Sequence, residues 1–485
     1  MHSNLLLNVP GSGKPEPFSR LPDDQLGKVY VDVPHRYFTD LADLAEYVRE
    51  ARQMGGNVLL LLPHFFPSFS EYVVKDYERP CTLFGSWKHF AGFMKFTADL
   101  GMDRMIDIPF NHADWQANNL QRHWFIKHEE QGIEAGADDS DADGNRVRIN
   151  WGAYVLDNGN PDLITYWLEK VIYPHVEKYH VNAIRIDAAW GLDPEGLTTI
   201  VRETKRRFPH VWFLAENLGM DPLINLARSG INAGAERFFN NYYWYTGGRG
   251  IPVDVYRLQK LAPGRPTCTI FGNHDVLQPA MRALAMVRRE QLQDVDLSNP
   301  KAVHRRIIEQ DRLHGPRLLA PHELDEVSRL MALDFILASF LSSDLMLGAG
   351  NELALLERVD VLRSGPEHFA RGVETDLGET MQVILQARAS DPLFNTEGTI
   401  MPFGEWRQGQ PGLKGYCRRS GTRTIVVAVN TDQGNSLEFP LPKHLRQAAK
   451  VGALTPEGRV FNSGSKLPDH VLLSPLSALV LYTLE

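Results

Sequence analysis

Val181-Asn-Ala-Ile-Arg185-Ile-Asp187 decides how the chain is read. The run is short, largely apolar and ends in a carboxylate. Runs of this kind are typical of parallel strands buried on both faces. Strand alternation puts Arg185 on the same side as Asp187. A charged pair at the end of a buried strand is costly unless it is used. Upstream, Val29–Val33, Asn57–Pro63 and Arg104–Phe110 are further strands. Between them, Leu41–Met54 and Trp87–Leu100 place apolar residues at helical spacing and stop at glycines. Asn160-Pro161-Asp162 opens a helix to about His180, and another is expected from Pro194 to Phe208. Downstream, Val211–Glu216, Ile231–Phe239, Cys268–Asn273 and Asp344–Gly348 bring the strand count to eight. Strands alternating with helices mean an α/β fold with a parallel sheet, and eight of them mean a (β/α)8 TIM barrel.

The barrel is assigned to residues 28–110 and 160–393. A Pro-, Gly- and Ser-rich arm, residues 1–27, precedes it. Its Gly11-Ser12-Gly13-Lys14 lacks the rest of a phosphate-loop pattern, with Asn8 and Pro15 at two required positions. Residues 111–159 are too long and too rich in Asp and Gly for a simple loop, and are read as a small inserted subdomain after strand three. A charged stretch at 286–328 follows strand seven; Pro300–Asp311 within it looks helical, and it is read as a solvated bulge, with a lid or oligomer contact as the alternative. After Phe394 the texture turns to short strands: Thr424–Asn430, Ser436–Leu441, Val451–Leu454 and Val471–Leu484. Ser420-Gly421 is a hairpin turn. Residues 394–485 are therefore assigned to a C-terminal antiparallel β-sandwich domain.

Bulk properties exclude several partners. The net charge of −9 argues against a nucleic-acid groove or an anionic membrane surface as the main partner. No stretch reaches the ~18 apolar residues of a membrane helix, and the N-terminus lacks a signal-peptide pattern. Three cysteines far apart suit a reducing compartment, so a cytoplasmic protein is expected. The oligomeric state is left open.

In (β/α)8 barrels the reacting groups sit at the C-terminal ends of strands. Those ends read Asp107-Ile-Pro-Phe-Asn111-His112, Arg185-Ile-Asp187, Glu216-Asn217 and Asn273-His274-Asp275. Carboxylates and histidines thus converge on one mouth. Cleaving an acetal needs one carboxylate to attack and a second to protonate the leaving oxygen. Asp187 is read as the nucleophile of a retaining glycosidase-type enzyme, with Arg185 lowering its pKa. Glu216 is read as the acid, its pKa raised by Leu214, Ala215 and nearby carboxylates. Asp275 would grip sugar hydroxyls as the ring flattens, and His112 and His274 would bond other hydroxyls. Metal catalysis is disfavoured: no Cys ligands are near and no His-x-x-x-His pair occurs.

Those four segments, in that order, resemble the four signature regions of the α-amylase superfamily. The resemblance covers about residues 29–485. It implies a double-displacement mechanism on α-glucosidic bonds, with Asp187 as nucleophile, Glu216 as acid/base and Asp275 as transition-state stabiliser. Tyr72, His112, Arg185 and His274 fall on its substrate-binding positions. The substrate it implies is an α-linked oligosaccharide or glucan. No cofactor is required; the resemblance allows a structural calcium ion with Asn111 as a ligand. Asp139-Ser-Asp141-Ala-Asp143-Gly144 begins like a calcium loop, but Asn150 stands where its Glu belongs, and a solvated turn is the preferred reading.

Departures from the pattern open alternatives. Val73 stands where many relatives have a carboxylate for an outer hydroxyl. Trp190-Gly191 replace Lys-His after the nucleophile, so Trp190 is a candidate for the acceptor side. Glu216–Pro222 and Tyr242–Tyr245 resemble the branch that transfers maltosyl units from a sugar phosphate. A maltosyltransferase or an α-glucoside isomerase therefore stays open beside a hydrolase or transglycosylase. A barrel that has lost catalysis and serves as a scaffold is the rival from another class; retention of three carboxylates speaks against it.

Overall fold

The structure is a computed structural model of the 485-residue chain. It describes residues 25–216 (except 130, 141, 142 and 144), 234–239, 266–275, 278–288, 320–355, 364–404 (except 371), 412–446, 451–462 (except 456 and 457) and 467–483, with a few single positions between. The Gly11–Lys14 motif, Asn217–Pro222, Tyr242–Tyr245 and nearly all of Pro300–Asp311 lie outside the described residues.

Two compact units share the chain, one built mainly on Tyr30–Asn241 and the other on Tyr242–Arg358 with Arg371–Glu485. In the first, strands β1 (Val29–Val33), β2 (Val58–Leu61), β3 (Asp103–Ile108), β4 (Ala183–Ile186), β5 (Trp212–Glu216) and β6 (Arg237–Phe239) lie in sequence order in a parallel sheet. In the second, β7 (Thr269–Ile270) pairs in parallel with β8 (Leu345–Gly348). β2 and β4 are buried at every position, as strands covered on both faces must be.

The helices begin where the caps say. Asp40 accepts from the N–H groups of Ala42 and Asp43 ahead of Leu41–Met54, and Asp193 accepts from Gly196 ahead of Pro194–Arg207. Each thereby satisfies donors that a helix start leaves without a partner. One helix departs from expectation. The element opened by Asn160 runs as Pro161–Tyr166, a π-helical turn Trp167–Ile172, and Tyr173–Tyr179. Pro174 is the physical reason: it has no N–H for the carbonyl four residues back, and its ring crowds that carbonyl, so the preceding turn widens.

Residues of the inserted subdomain form a small antiparallel sheet after β3. Its strands are His112–Ala113, Glu134–Ser140 and Arg146–Val155, with Ser140 opposite Arg146. In the second unit, Thr399–Gly404, Leu413–Ser420, Arg423–Asn430, Ser477–Thr483, Val451–Thr455 and Gly458–Asn462 make a six-stranded antiparallel sheet, beside the pair Leu437–Pro440 and His470–Leu473. The hairpin at Ser420 turns through Gly421 at φ 61°, a conformation that favours glycine. The expected single strand Val471–Leu484 is two strands. Pro475 has no N–H for a ladder, and Leu476 takes φ 47° and donates to Asp432 instead.

Buried imidazoles carry a consequence for stability. His64 and His175 meet Nε2 to Nε2 at 2.9 Å, with His64 stacked on Phe90. His175 Nδ1 donates to the Val171 carbonyl at 2.6 Å, so its Nε2 accepts from His64 Nε2–H. Both rings are therefore neutral. Burial lowers His175 to about 4, His35 to about 3 and His64 well below the usual 6.5; His112, in the site below, is lowered to about 4. The unfolded chain binds protons at these groups from pH 6.5 downwards, while the folded chain does not until pH 4 or below. Stability is thus full above pH 6.5 and falls toward pH 4, by about 1.4 kcal/mol per pH unit for each imidazole. Urea unfolding at pH 7, 6 and 5 checks this; a midpoint that holds or rises on acidification contradicts it.

Candidate active site

β3, β4 and β5 run in register, with Asp107 opposite Arg185 and Arg185 opposite Leu214. That pairing aligns the strand ends. Alternation turns Asp107 and Arg185 to the same face, Asp187 follows one residue beyond β4, and Glu216 closes β5. Arg185 is 1% exposed and sits among three carboxylates. Its Nη1 bonds Asp107 Oδ2 and, at 3.1 Å, Asp187 Oδ1; its Nη2 lies 2.8 Å from Glu216 Oε2. Burial opposes the charge on the guanidinium, but Asp107, Glu216, Tyr72 and Asp187 together outweigh it and hold its pKa well above the ordinary value. A planar fork with several donors suits this bridging in a way an ammonium cannot.

Ala188 supplies a further contact. Its backbone is left-handed, φ 42° and ψ 45°, and its N–H donates to Glu216 Oε2 at 2.7 Å. Such strain in a non-glycine residue persists only where surroundings enforce it, and it clusters at functional sites. Arg185 and Ala188 both address Oε2, so among the described residues Glu216 Oε1 carries no partner. The turn Ala189–Gly191 follows and presents Trp190, half-buried.

Tyr72 and His112 complete the first-unit cluster. Tyr72 Oη donates to Asp107 Oδ2 at 2.7 Å and accepts from Arg185 Nη1 at 3.2 Å. His112 bonds Asn111 Oδ1 through Nδ1, and a bond to the Tyr72 backbone only partly offsets the burial that lowers its pKa. Neutral, and 4.0 Å from Asp187 Oδ2, it is a polar neighbour rather than an ion-pair partner. His274 and Asp275 belong to the second unit, where His274 Nε2 lies 3.2 Å from Asp275 Oδ2 and the Asp275 side chain is 33% exposed. Asn273 Oδ1 accepts from the Asp275 N–H at 3.0 Å and fixes the turn.

The structure thus brings together Asp187, Glu216, Arg185, His112 and Tyr72 of the sequence candidates. Asp107 is the member that sequence reading left out of the site. Its signal was the strand register: it stands opposite Arg185 with the same alternation. The Asn111 amide oxygen is committed to His112, and no group of three His, Cys, Asp or Glu able to hold a metal gathers among the described residues.

No family model matches the chain. Over 156 residues it is 25% identical to the 1,4-α-glucan branching enzyme GlgB of Nocardia farcinica, a match spanning 31% of this chain and 19% of that protein. Solved structures give broader likeness. An α-amylase from Geobacillus thermoleovorans, complexed with acarbose, matches with a TM-score of 0.67 and 15% identity over 96% of this chain and 100% of that one. The α-glucosyl transfer enzyme XgtA matches at 0.67 and 14% over 96% and 100%. A maltogenic α-amylase from Thermotoga neapolitana matches at 0.64 and 17% over 95% and 99%. The chain therefore has the fold of the α-amylase family, a (β/α)8 barrel with a subdomain inserted after the third strand and an antiparallel β domain at the C-terminal end.

Proposed function

We propose that the protein is a retaining enzyme acting on α-glucosidic bonds of oligosaccharides or α-glucans, by hydrolysis or by transfer of glucosyl or maltosyl units. The observation that supports this most is one guanidinium, Arg185, bridging Asp187 and Glu216 at the ends of neighbouring parallel strands. Asp187 attacks the anomeric carbon while Glu216 gives a proton to the glycosidic oxygen, and the bond to the leaving sugar breaks. Glu216 then takes a proton from water or from an acceptor hydroxyl, whose oxygen displaces Asp187. Oε1 is the oxygen in reach of that proton, because Oε2 is already addressed by Arg185 and Ala188. Asp275 contacts ring hydroxyls in the flattened transition state, and His112, Tyr72, His274 and Trp190 contact the substrate. Asp107 holds Arg185 and Tyr72 in place. The similar solved structures include both amylases and a glucosyl transfer enzyme, in keeping with one intermediate open to water or sugar acceptors.

The test is product analysis on maltose, maltodextrin, trehalose, sucrose and maltose 1-phosphate, with and without a sugar acceptor. Release or transfer of α-glucosyl units from at least one of these supports the reading. Inertness toward all, with the fold intact, removes it.

A further inference from the structure

Gly152 interrupts the longest strand of the inserted subdomain. Between Asn150, opposite Gly136, and Tyr154, opposite Glu134, strand Arg146–Val155 carries two residues more than its partner. The bulge is pinned: Asn150 Oδ1 accepts from the Gly152 N–H at 2.8 Å, and Asn150 Nδ2 bonds Glu134. Gly152 has φ 71°, and a Cβ there would meet the Phe69 ring at 2.5 Å. Two independent constraints thus require glycine. Bulges re-aim side chains, and they are common beside active sites.

Trp151 sits within this bulge. It is half-buried, packed on Val73, Ala135 and Ala153, with its ring centroid 5.1 Å from that of His112. Phe69, 53% exposed, lies against Gly152 on the outer side. A continuous run follows from Phe69 over Gly152 and Trp151 to His112 and so to Asp187, all within one unit. Val73 is 2% exposed and forms part of the floor under Trp151. The position where a carboxylate would read an outer hydroxyl therefore supports an indole instead. Exposed aromatic faces beside a polar site suit pyranose rings, whose C–H faces are apolar and whose hydroxyls point outward.

We infer that Trp151, with Phe69 beyond it, is a stacking platform for the sugar rings next to the one held at Asp187, so that the protein selects chains over single glucosides. This rests on the α-glucan reading. Specificity on this side comes from ring stacking rather than from hydroxyl recognition at position 73.

The test compares kcat/KM for maltohexaose with that for 4-nitrophenyl α-glucoside, first in the unmodified protein and then in variants. Trp151→Ala lowers the hexaose-to-glucoside ratio about tenfold, mainly through KM, and Trp151→Phe restores most of it. Phe69→Ser, at an exposed position, lowers the ratio about threefold by the same loss of stacking and carries the test if Trp151→Ala folds poorly. An unmodified protein that turns over both substrates, with a ratio that neither Trp151→Ala nor Phe69→Ser changes, overturns the platform and leaves the α-glucan reading standing. An unmodified protein inert to both overturns the two together.

Discussion

Asp187→Asn lowers turnover by about four to six orders of magnitude, as removal of a covalent nucleophile does in other enzymes. The folded state survives the change. Arg185 keeps its contacts with Asp107 and Glu216, so no buried cation is stranded. Glu216→Gln gives a comparable loss on unactivated glycosides and separates itself by leaving-group dependence. Proton donation matters least when the departing group is a good one, so α-glucosyl fluoride recovers a first step in Glu216→Gln that it does not recover in Asp187→Asn. Steady-state kinetics of both variants on maltodextrin and α-glucosyl fluoride, with the thermal transition as a folding control, checks the assignment. Near-normal turnover in either variant contradicts the role given to that residue. Asp275→Asn, expected to cost several orders of magnitude in turnover, tests the third carboxylate in the same assay.

Arg185→Met strikes stability as well as activity. The side chain is almost fully buried and is shared by Asp107, Asp187 and Glu216. Removing one partner of a buried ionic group costs about 3–5 kcal/mol, because the remaining charges are left in a poorly solvating environment. Three carboxylates then face one another without a cation between them. Arg185→Lys restores little: one ammonium cannot hydrogen-bond Asp107 and Asp187 while also lying against Glu216, as the two ends of the guanidinium do. The free energy of unfolding from urea titration, at constant denaturant dependence, measures this. A loss below about 1 kcal/mol would show that the cluster is far better solvated than its burial implies.

Much of this was legible because the signals are local. β1 and the first helix have the bounds their periodicity predicts. Arg185 and Asp187 are two apart on one strand, so alternation alone put them together. Asp107 was harder to place, since its bond to Arg185 depends on the register of β3 against β4, which lies in the packing of two strands rather than in either one. Trp151 was invisible for a related reason: the irregularity around it depends on the register of Arg146–Val155 against Glu134–Ser140, which neither strand shows alone. The π turn and the split of Val471–Leu484 both follow from prolines, at 174 and 475, whose effect depends on whether tertiary contacts keep the element going around them. Asp275 stood out by motif, whereas its partner His274 adds a contact that only coordinates supply.

The central claim is a covalent bond between the anomeric carbon of a glucosyl unit and the carboxylate of Asp187. An activated 5-fluoro α-glucosyl donor slows breakdown of such an intermediate so that it accumulates. Peptide mapping by mass spectrometry after brief exposure is expected to find the glycosyl mass on the peptide carrying Asp187, and to lose it in Asp187→Asn. Label on any other residue, or full turnover of the donor with no adduct and with inversion at the anomeric carbon, contradicts the account.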